Sequence, residues 1–141
     1  MSPLRRFLVR AFIGAHTALY SLTAGRIGGR MGAQRILLLT TTGRRSGAQR
    51  TVPLVYFEDG ERLVLIASNG GASSDPQWWK NLQQRPEALV QVGAETRRMR
   101  ARICSVEERA RLWPRVKREN PPYAEYEKKT TREIPVVLLA P

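Results

Sequence analysis

Arg35-Ile36-Leu37-Leu38-Leu39-Thr40-Thr41-Thr42, followed by Gly43-Arg44-Arg45-Ser46-Gly47 and then by Arg50 to Phe57, is the stretch on which the fold turns. Four apolar residues and three threonines form a β-rich run. The Gly-bounded basic segment then reverses the chain, and Arg50 to Phe57 reads as a second strand. A strand, a tight turn and a second strand make an antiparallel pair.

Downstream the pattern repeats. Asp59-Gly60 is a hairpin signal, so Arg62 to Ser68 is a third strand, broken by Asn69-Gly70-Gly71. Asp75 as N-cap and Pro76 at the first helical position start a short helix carrying Trp78, Trp79 and Leu82. Ala88 to Val92 and Thr96 to Ile103 pair around Gly93. In the latter, Met99, Ala101 and Ile103 alternate with Arg98, Arg100 and Arg102, which sets one face inward and one in water. Ser105-Val106-Glu107-Glu108 is a capping box opening a helix from about 106 to 118, with Trp113 and Val116 toward the core. Pro121-Pro122 stops it. Tyr123 and Tyr126 follow on a short turn or helix, and Ile134 to Leu139 is a sixth strand. The expected architecture is mainly β with helices: a small six-stranded antiparallel barrel decorated by helices.

Upstream lies an amphipathic helix, roughly residues 4–22, with Leu4, Leu8, Phe12, Ala15 and Leu19 on one face. Its apolar run is interrupted by Arg10 and His16 and is too short to span a bilayer. Ala-Gly after Thr23 imitates an export cleavage site, but an amphipathic helix is the preferred reading. Two roles stand open: packing on the domain, or lying on an anionic membrane surface with Arg5, Arg6 and Arg10 near the headgroups. Gly25, Gly28, Gly29 and Gly32 form a connector. Residues 1–34 are thus read as helix and connector, and 35–141 as one barrel domain.

The chain has 141 residues and a net charge of +12. Residues 1–57 carry nine arginines and no acidic side chain, a skew that calls for an anionic partner. One cysteine, Cys104, and one histidine, His16, leave no intrachain disulfide and no Cys-based metal site, so no metal is expected. A Ser-His-Asp triad in the core is equally ill-supplied.

Three segments are candidates for chemistry. In Gly43-Arg44-Arg45-Ser46-Gly47 with Arg50, glycines expose backbone donors and arginines suit phosphate or carboxylate. It is not a P-loop, because the Gly-Lys-Ser/Thr ending is absent; an exposed basic hairpin turn is the alternative. Ala67-Ser68-Asn69-Gly70-Gly71 with Gln77-Trp78-Trp79-Lys80-Asn81 sets backbone donors beside an aromatic wall able to hold a planar heterocycle, unless the tryptophans are core. Tyr123 and Tyr126 can line a pocket, donate a proton, or simply pack a C-terminal turn. A nucleic-acid-binding module fits the charge, but aromatics are only 7% and form no stacking platform.

Taken in order and spacing, these segments resemble the deazaflavin (coenzyme F420)-dependent nitroreductase family. The resemblance is carried by Leu39 to Gly47, Arg50, Pro53-Leu54, Ala67-Ser68, Gly70-Gly71, Pro76, Trp78 and Asn81-Leu82. It continues through Glu107-Glu108-Arg109, Trp113-Pro114, Tyr123, Tyr126, Thr130, Arg132 and Ile134-Pro135. It covers about residues 35–141.

The resemblance implies a split β-barrel, similar to flavin-binding split barrels, and an oxidoreductase that passes a hydride from reduced 8-hydroxy-5-deazaflavin to a planar acceptor. A quinone, a nitroaromatic and an α,β-unsaturated carbonyl all qualify. It implies that Gly43, Arg44, Arg45, Ser46, Gly47 and Arg50 meet the phosphate and oligoglutamate tail. Val52, Pro53 and Leu54 would flank the chromophore; Ile66, Ala67, Ser68 and Asn69 would lie near its reactive ring. Gln77, Trp78, Trp79, Lys80 and Asn81 would cover the linker. Ser68, Tyr123 and Tyr126 would be the donors toward the acceptor. Some relatives carry lysine where this chain has Asn69. A split barrel holding flavin mononucleotide or haem is the neighbouring alternative. The expected setting is cytoplasmic, with peripheral contact at the inner membrane face through residues 4–22, as a monomer or dimer.

Overall fold

The computed structural model describes residues 2–23, 25, 29–31 and 34–141, without the side chains of residues 30 and 31. The connector glycines Gly28 and Gly32 lie outside the described residues. The elements are α1 (Pro3–Leu22), β1 (Arg30–Met31), β2 (Gln34–Thr42), β3 (Gln49–Val55), β4 (Phe57–Asp59) and β5 (Arg62–Ile66). They continue with α2 (Gln77–Gln84), β6 (Glu87–Val92), β7 (Glu95–Ile103), α3 (Val106–Glu119), α4 (Pro122–Lys129) and β8 (Val136–Ala140).

All strand pairings are antiparallel. β2 pairs β3 along its whole length, from Ile36 opposite Val55 to Thr42 opposite Gln49. From β2 the sheet continues through β6, β7, β8 and β5 to β4. The strands at its two ends, β3 and β4, are therefore consecutive in the chain. The two are separated only by Tyr56, whose N–H donates to Arg35 O at 3.1 Å. Curling brings β3 beside β5 without a ladder between them, and the barrel is split along that gap.

The expected second strand, Arg50 to Phe57, is thus two strands. Up to Tyr56 the chain follows β2; beyond it, Phe57, Glu58 and Asp59 pair with Val64, Leu63 and Arg62. With the two-residue β1, this raises the strand number from the expected six to eight. Pro53 is accommodated because β3 is laddered to β2 alone, where a missing N–H costs little.

The barrel interior is filled by Leu37, Leu39, Leu65, Val90, Met99, Val137 and Leu139, capped by Trp78, Trp79 and Leu82 of α2. The opposite face of β5 and β8 presents Val64, Val136 and Leu138 to Leu112, Trp113 and Val116 of α3 and to Tyr123 of α4. Outward Ile36 and Leu38 pack with Tyr20 of α1. Burial on both faces explains the unbroken apolar run Ile36–Leu39, which could not alternate.

Two local expectations are corrected. Asp75 does not cap α2; the N-cap is Pro76, without a side-chain bond. Asp75 is drawn instead into an ion pair with Arg132 at 2.7 Å, which outcompetes a cap at an exposed helix start. On β7, Met99 and Ala101 are buried as expected, but Ile103, still paired with Val137 at the strand's end, is half exposed. The capping box is as read: Glu108 N–H donates to Ser105 Oγ at 3.1 Å, and Ser105 N–H to Glu108 Oε1 at 2.8 Å.

α1 is held mainly at its C-terminal end. The Tyr20 hydroxyl accepts from Gly93 N–H at 2.9 Å and donates to Gln91 O at 3.2 Å. Gly25 (φ +81°) lets the chain leave under that contact; a Cβ there would stand 2.8 Å from Gly93 Cα.

Candidate active site

The gap between β3 and β5 holds a cleft of about 440 Å³. Its β-strand walls are Ile36, Val52 to Val55, Leu65 and Ile66. Ser68, Asn69 and Gly70 close one side, Pro76 and Trp78 another. Tyr123 lies at the back, and Phe12, Ile13 and His16 of α1 cover the top. The lining is mostly apolar, with a few polar groups from His16, Ser68, Asn69 and Tyr123, which is the composition expected of a small-molecule site.

Two hydroxyls stand on that lining. Ser68 and Tyr123 are both buried, yet among the described residues neither hydroxyl is spent on an internal hydrogen bond. Ser68 begins the 3-10 turn Asn69–Gly71 without capping it through its side chain. Tyr123 is fixed by ring contacts, edge-on to Phe57 at 6.2 Å and to Tyr126 at 5.8 Å. Burial, with a smaller contribution from Tyr126, pushes its phenol up to about 12. It is therefore a neutral hydrogen-bond donor at every working pH.

The basic turn sits at the opposite end of β3. Arg50 and Pro53 are three residues apart, about 10 Å along a strand at roughly 3.3 Å per residue. Arg44 is turned inward: its backbone N–H and Nη1 donate to Asn81 Oδ1 at 3.2 and 2.9 Å, and Nη2 donates to Gln77 Oε1 at 2.8 Å. Asn81 in turn donates to Thr41 Oγ1 at 3.1 Å. Its acceptors are neutral, so the Arg44 charge is not cancelled. Arg45 and Arg50 are exposed, and among the described residues none of the three has a carboxylate partner. Three arginines whose charge no carboxylate offsets have the chemistry that suits an anion.

The structure brings Val52, Pro53, Leu54, Ile66, Ser68, Asn69, Trp78 and Tyr123 to one cleft. Gly43, Arg44, Arg45, Ser46, Gly47 and Arg50 gather at the basic turn. Other expected residues fall elsewhere. Ala67 is wholly buried in the barrel core, as is Trp79. Tyr126 stands behind Tyr123, off the cleft lining. Gln77 and Asn81 face Arg44, and half-buried Lys80 is not on the lining. The sequence reading missed the α1 residues, because a helix held by distant strands gives no local sign of what its inner face covers. It also gave Arg132 no task of its own.

A family model described as F420H(2)-dependent quinone reductase matches residues 12–141. The chain belongs to the F420H(2)-dependent quinone reductase family. An F420H(2)-dependent quinone reductase of Mycobacterium tuberculosis is 39% identical over 128 residues, 88% of this chain and 86% of that protein. The solved structure of an F420-H2-dependent reductase is 40% identical, with a TM-score of 0.67 over 74% of this chain and 92% of its own. A domain-swapped dimer is 36% identical, with a TM-score of 0.70 over 98% and 99%. Membership makes this chain an F420-dependent oxidoreductase on a split-barrel fold. The residues present fit such a coenzyme: a mostly apolar cleft with two hydroxyls on its wall, and, about 10 Å along β3, arginines without a carboxylate partner among the described residues.

Proposed function

We propose that the β3–β5 cleft is where a quinone is reduced, with the coenzyme ring on the β3 wall and its phosphate and glutamates at Arg44, Arg45 and Arg50. The observation that carries this reading is the pairing of an apolar slot with uncompensated arginines on one strand. When bound, the reduced coenzyme supplies a hydride. Val52, Pro53 and Leu54 hold the ring flat, and Trp78 with Ile66 limits the slot to planar acceptors. Nitroaromatics and unsaturated carbonyls satisfy the same shape. Phe12, Ile13 and His16 restrict water from above.

Reduction of a quinone by hydride leaves negative charge on one acceptor oxygen, which then takes a proton. Ser68 Oγ and the Tyr123 hydroxyl are the donors for that oxygen. A phenol near 12 holds its proton, so Tyr123 serves by hydrogen bonding and the proton comes from solvent. Tyr126 supports Tyr123 through its ring. Asn81 and Gln77 orient Arg44.

Residues 35–141 form the coenzyme-binding domain, and 1–34 an accessory helix and connector. No described helix is long and apolar enough to cross a membrane. Leu4, Phe7, Leu8, Phe12, Leu19 and Leu22 are nonetheless exposed along α1. That stripe, with Arg5, Arg6 and Arg10, suits the anionic inner surface of a cell membrane, where lipid-soluble quinones reside. The dimeric similar structure supports pairing of two copies.

The test is fluorescence titration with F420 carrying short and long glutamate tails. Arg50→Ala should weaken binding about tenfold, corresponding to about 1.5 kcal/mol for a charge-assisted contact, and more for the longer tail. Equal affinity of wild type and variant for both tails would reject the basic turn as the tail site. Purification with a tightly held flavin or haem in place of F420 would reject the coenzyme assignment.

A further inference from the structure

Arg132 lies in the segment joining α4 to β8, and its side chain is largely buried, at 17% exposure. Three of its nitrogens are in use. Nε donates to Ala72 O at 3.0 Å; Nη1 donates to Asp75 Oδ1 at 2.7 Å; Nη2 donates to Ala67 O at 3.2 Å and Ser68 O at 2.9 Å. All four acceptors belong to one loop, residues 67–75, which supplies Ser68, Asn69 and Gly70 to the cleft and leads into Pro76 and Trp78.

That loop needs holding. Asn69, Gly70 and Gly71 have φ of +48°, +63° and +83°, three successive residues in the left-handed region, one of them not glycine. Such a conformation persists only where the surroundings over-determine it. Arg132 grips the loop on one side. On the other, a Cβ at Gly71 would lie 3.0 Å from Tyr126 O and 3.1 Å from Lys129 Cβ, so α4 presses directly against it. α4 is also the helix that carries Tyr123.

We infer that Arg132 is a positioning residue of the reductase: it locks the 67–75 loop against α4, so that the Ser68 and Tyr123 hydroxyls reach the acceptor oxygen in fixed register. This rests on the reading of the cleft given above. A planar guanidinium spans four acceptors that a point ammonium cannot, so lysine is expected to replace the charge but not the geometry. A second effect follows from the charge itself. A buried cation on the Ala67 and Ser68 carbonyls lies close behind the wall where negative charge develops.

The test compares wild type, Arg132→Lys and Arg132→Gln, with Asp75→Asn as a milder variant that removes one acceptor's charge. Four quantities are read: amide hydrogen exchange of residues 68–75, F420 affinity by fluorescence, and kcat and KM with menadione. The expected result is loop exchange at least tenfold faster in Arg132→Gln, with β6–β7 exchange unchanged. F420 affinity should move less than threefold, and kcat should fall ten- to a hundredfold with less change in KM. Arg132→Lys should recover part of kcat, and Asp75→Asn should lie between it and wild type. Unchanged loop exchange, or full kcat in a variant whose loop exchanges fast, would overturn the assignment. If Arg132→Gln does not fold, Asp75→Asn decides by the same two readouts. Wild-type protein that binds no F420 sinks the functional reading itself, an outcome that no change at Arg132 can imitate.

Discussion

At the scale of single residues, Tyr123 shows how the fold makes a reagent from an ordinary side chain. Its ring is enclosed by Phe57, Trp113 and Tyr126, while its hydroxyl has no hydrogen-bond partner among the described residues. Tyr123→Phe removes only that hydroxyl. Turnover with a quinone should drop about tenfold, one hydrogen bond's worth at roughly 1.4 kcal/mol, and the melting temperature should shift little. Steady-state kinetics with a parallel thermal melt checks both; a turnover equal to wild type would take the phenol out of the reaction. Tyr123 was legible in the sequence as a candidate, because a phenol joins an apolar ring to a polar tip, but packing of a C-terminal turn stood open beside that reading. Arg44 was legible as a cation but not as a tethered one. Its partners Asn81 and Gln77 are 37 and 33 residues away, and no local pattern announces a contact of that span. Asp75 was misread for the same reason: a cap is a local inference, and Arg132 lies 57 residues downstream.

Among elements, the hairpin β4–β5, the end of β7 and the start of α3 are fastened by one charge network. Asp59 pairs with Arg62 at 2.7 Å and Arg111 at 2.8 Å; Glu108 pairs with Arg62 at 2.6 Å and Arg102 at 2.7 Å. Hydrogen bonding from Arg111, then from Arg62, lowers the Asp59 carboxyl from 3.8 to about 2. Arg102, the Ser105 amide and Arg62 hold Glu108 well below the usual carboxylate range. Both groups are depressed on folding, so their contribution is present above the unfolded values, near pH 4, and is lost as pH falls through the folded ones. Stability should be level from neutral pH to about 5 and decline toward pH 2. Urea midpoints across that range are the measurement, and Asp59→Asn should flatten the decline; an equal slope in both proteins would show that the network does not link folding to pH. The capping box behind Glu108 was plain in the sequence because its spacing is local. The division at Tyr56 was not, because a strand that changes partners keeps its β-forming composition on both sides of the break.

For the molecule as a whole, α1 joins two different environments. Its C-terminal end is buried through Tyr20, its middle covers the cleft through Phe12, Ile13 and His16, and Leu4, Phe7, Leu8 and Leu22 face outward. Helical periodicity made the stripe visible in the sequence but left its direction open. The two ends should respond differently to substitution. Tyr20→Phe leaves Gly93 N–H and Gln91 O without their partner and should cost about 1–3 kcal/mol of stability. Changing Leu4, Phe7 and Leu8 together to serine should leave the melt nearly unmoved, as surface substitutions do, while abolishing co-sedimentation with anionic vesicles. Wild-type protein that does not sediment with vesicles, or a triple variant that still does, would reject the proposed membrane role of this stripe.

The strand order has a consequence for biosynthesis. β8 stands between β7 and β5, in the middle of the sheet, although it is formed by residues 136–140. Until those residues leave the ribosome, β5 and β7 have no bridge and the nascent barrel is two unjoined halves. Closure of the sheet therefore waits for residues 136–140, and a variant lacking them is expected to have its sheet cut in two.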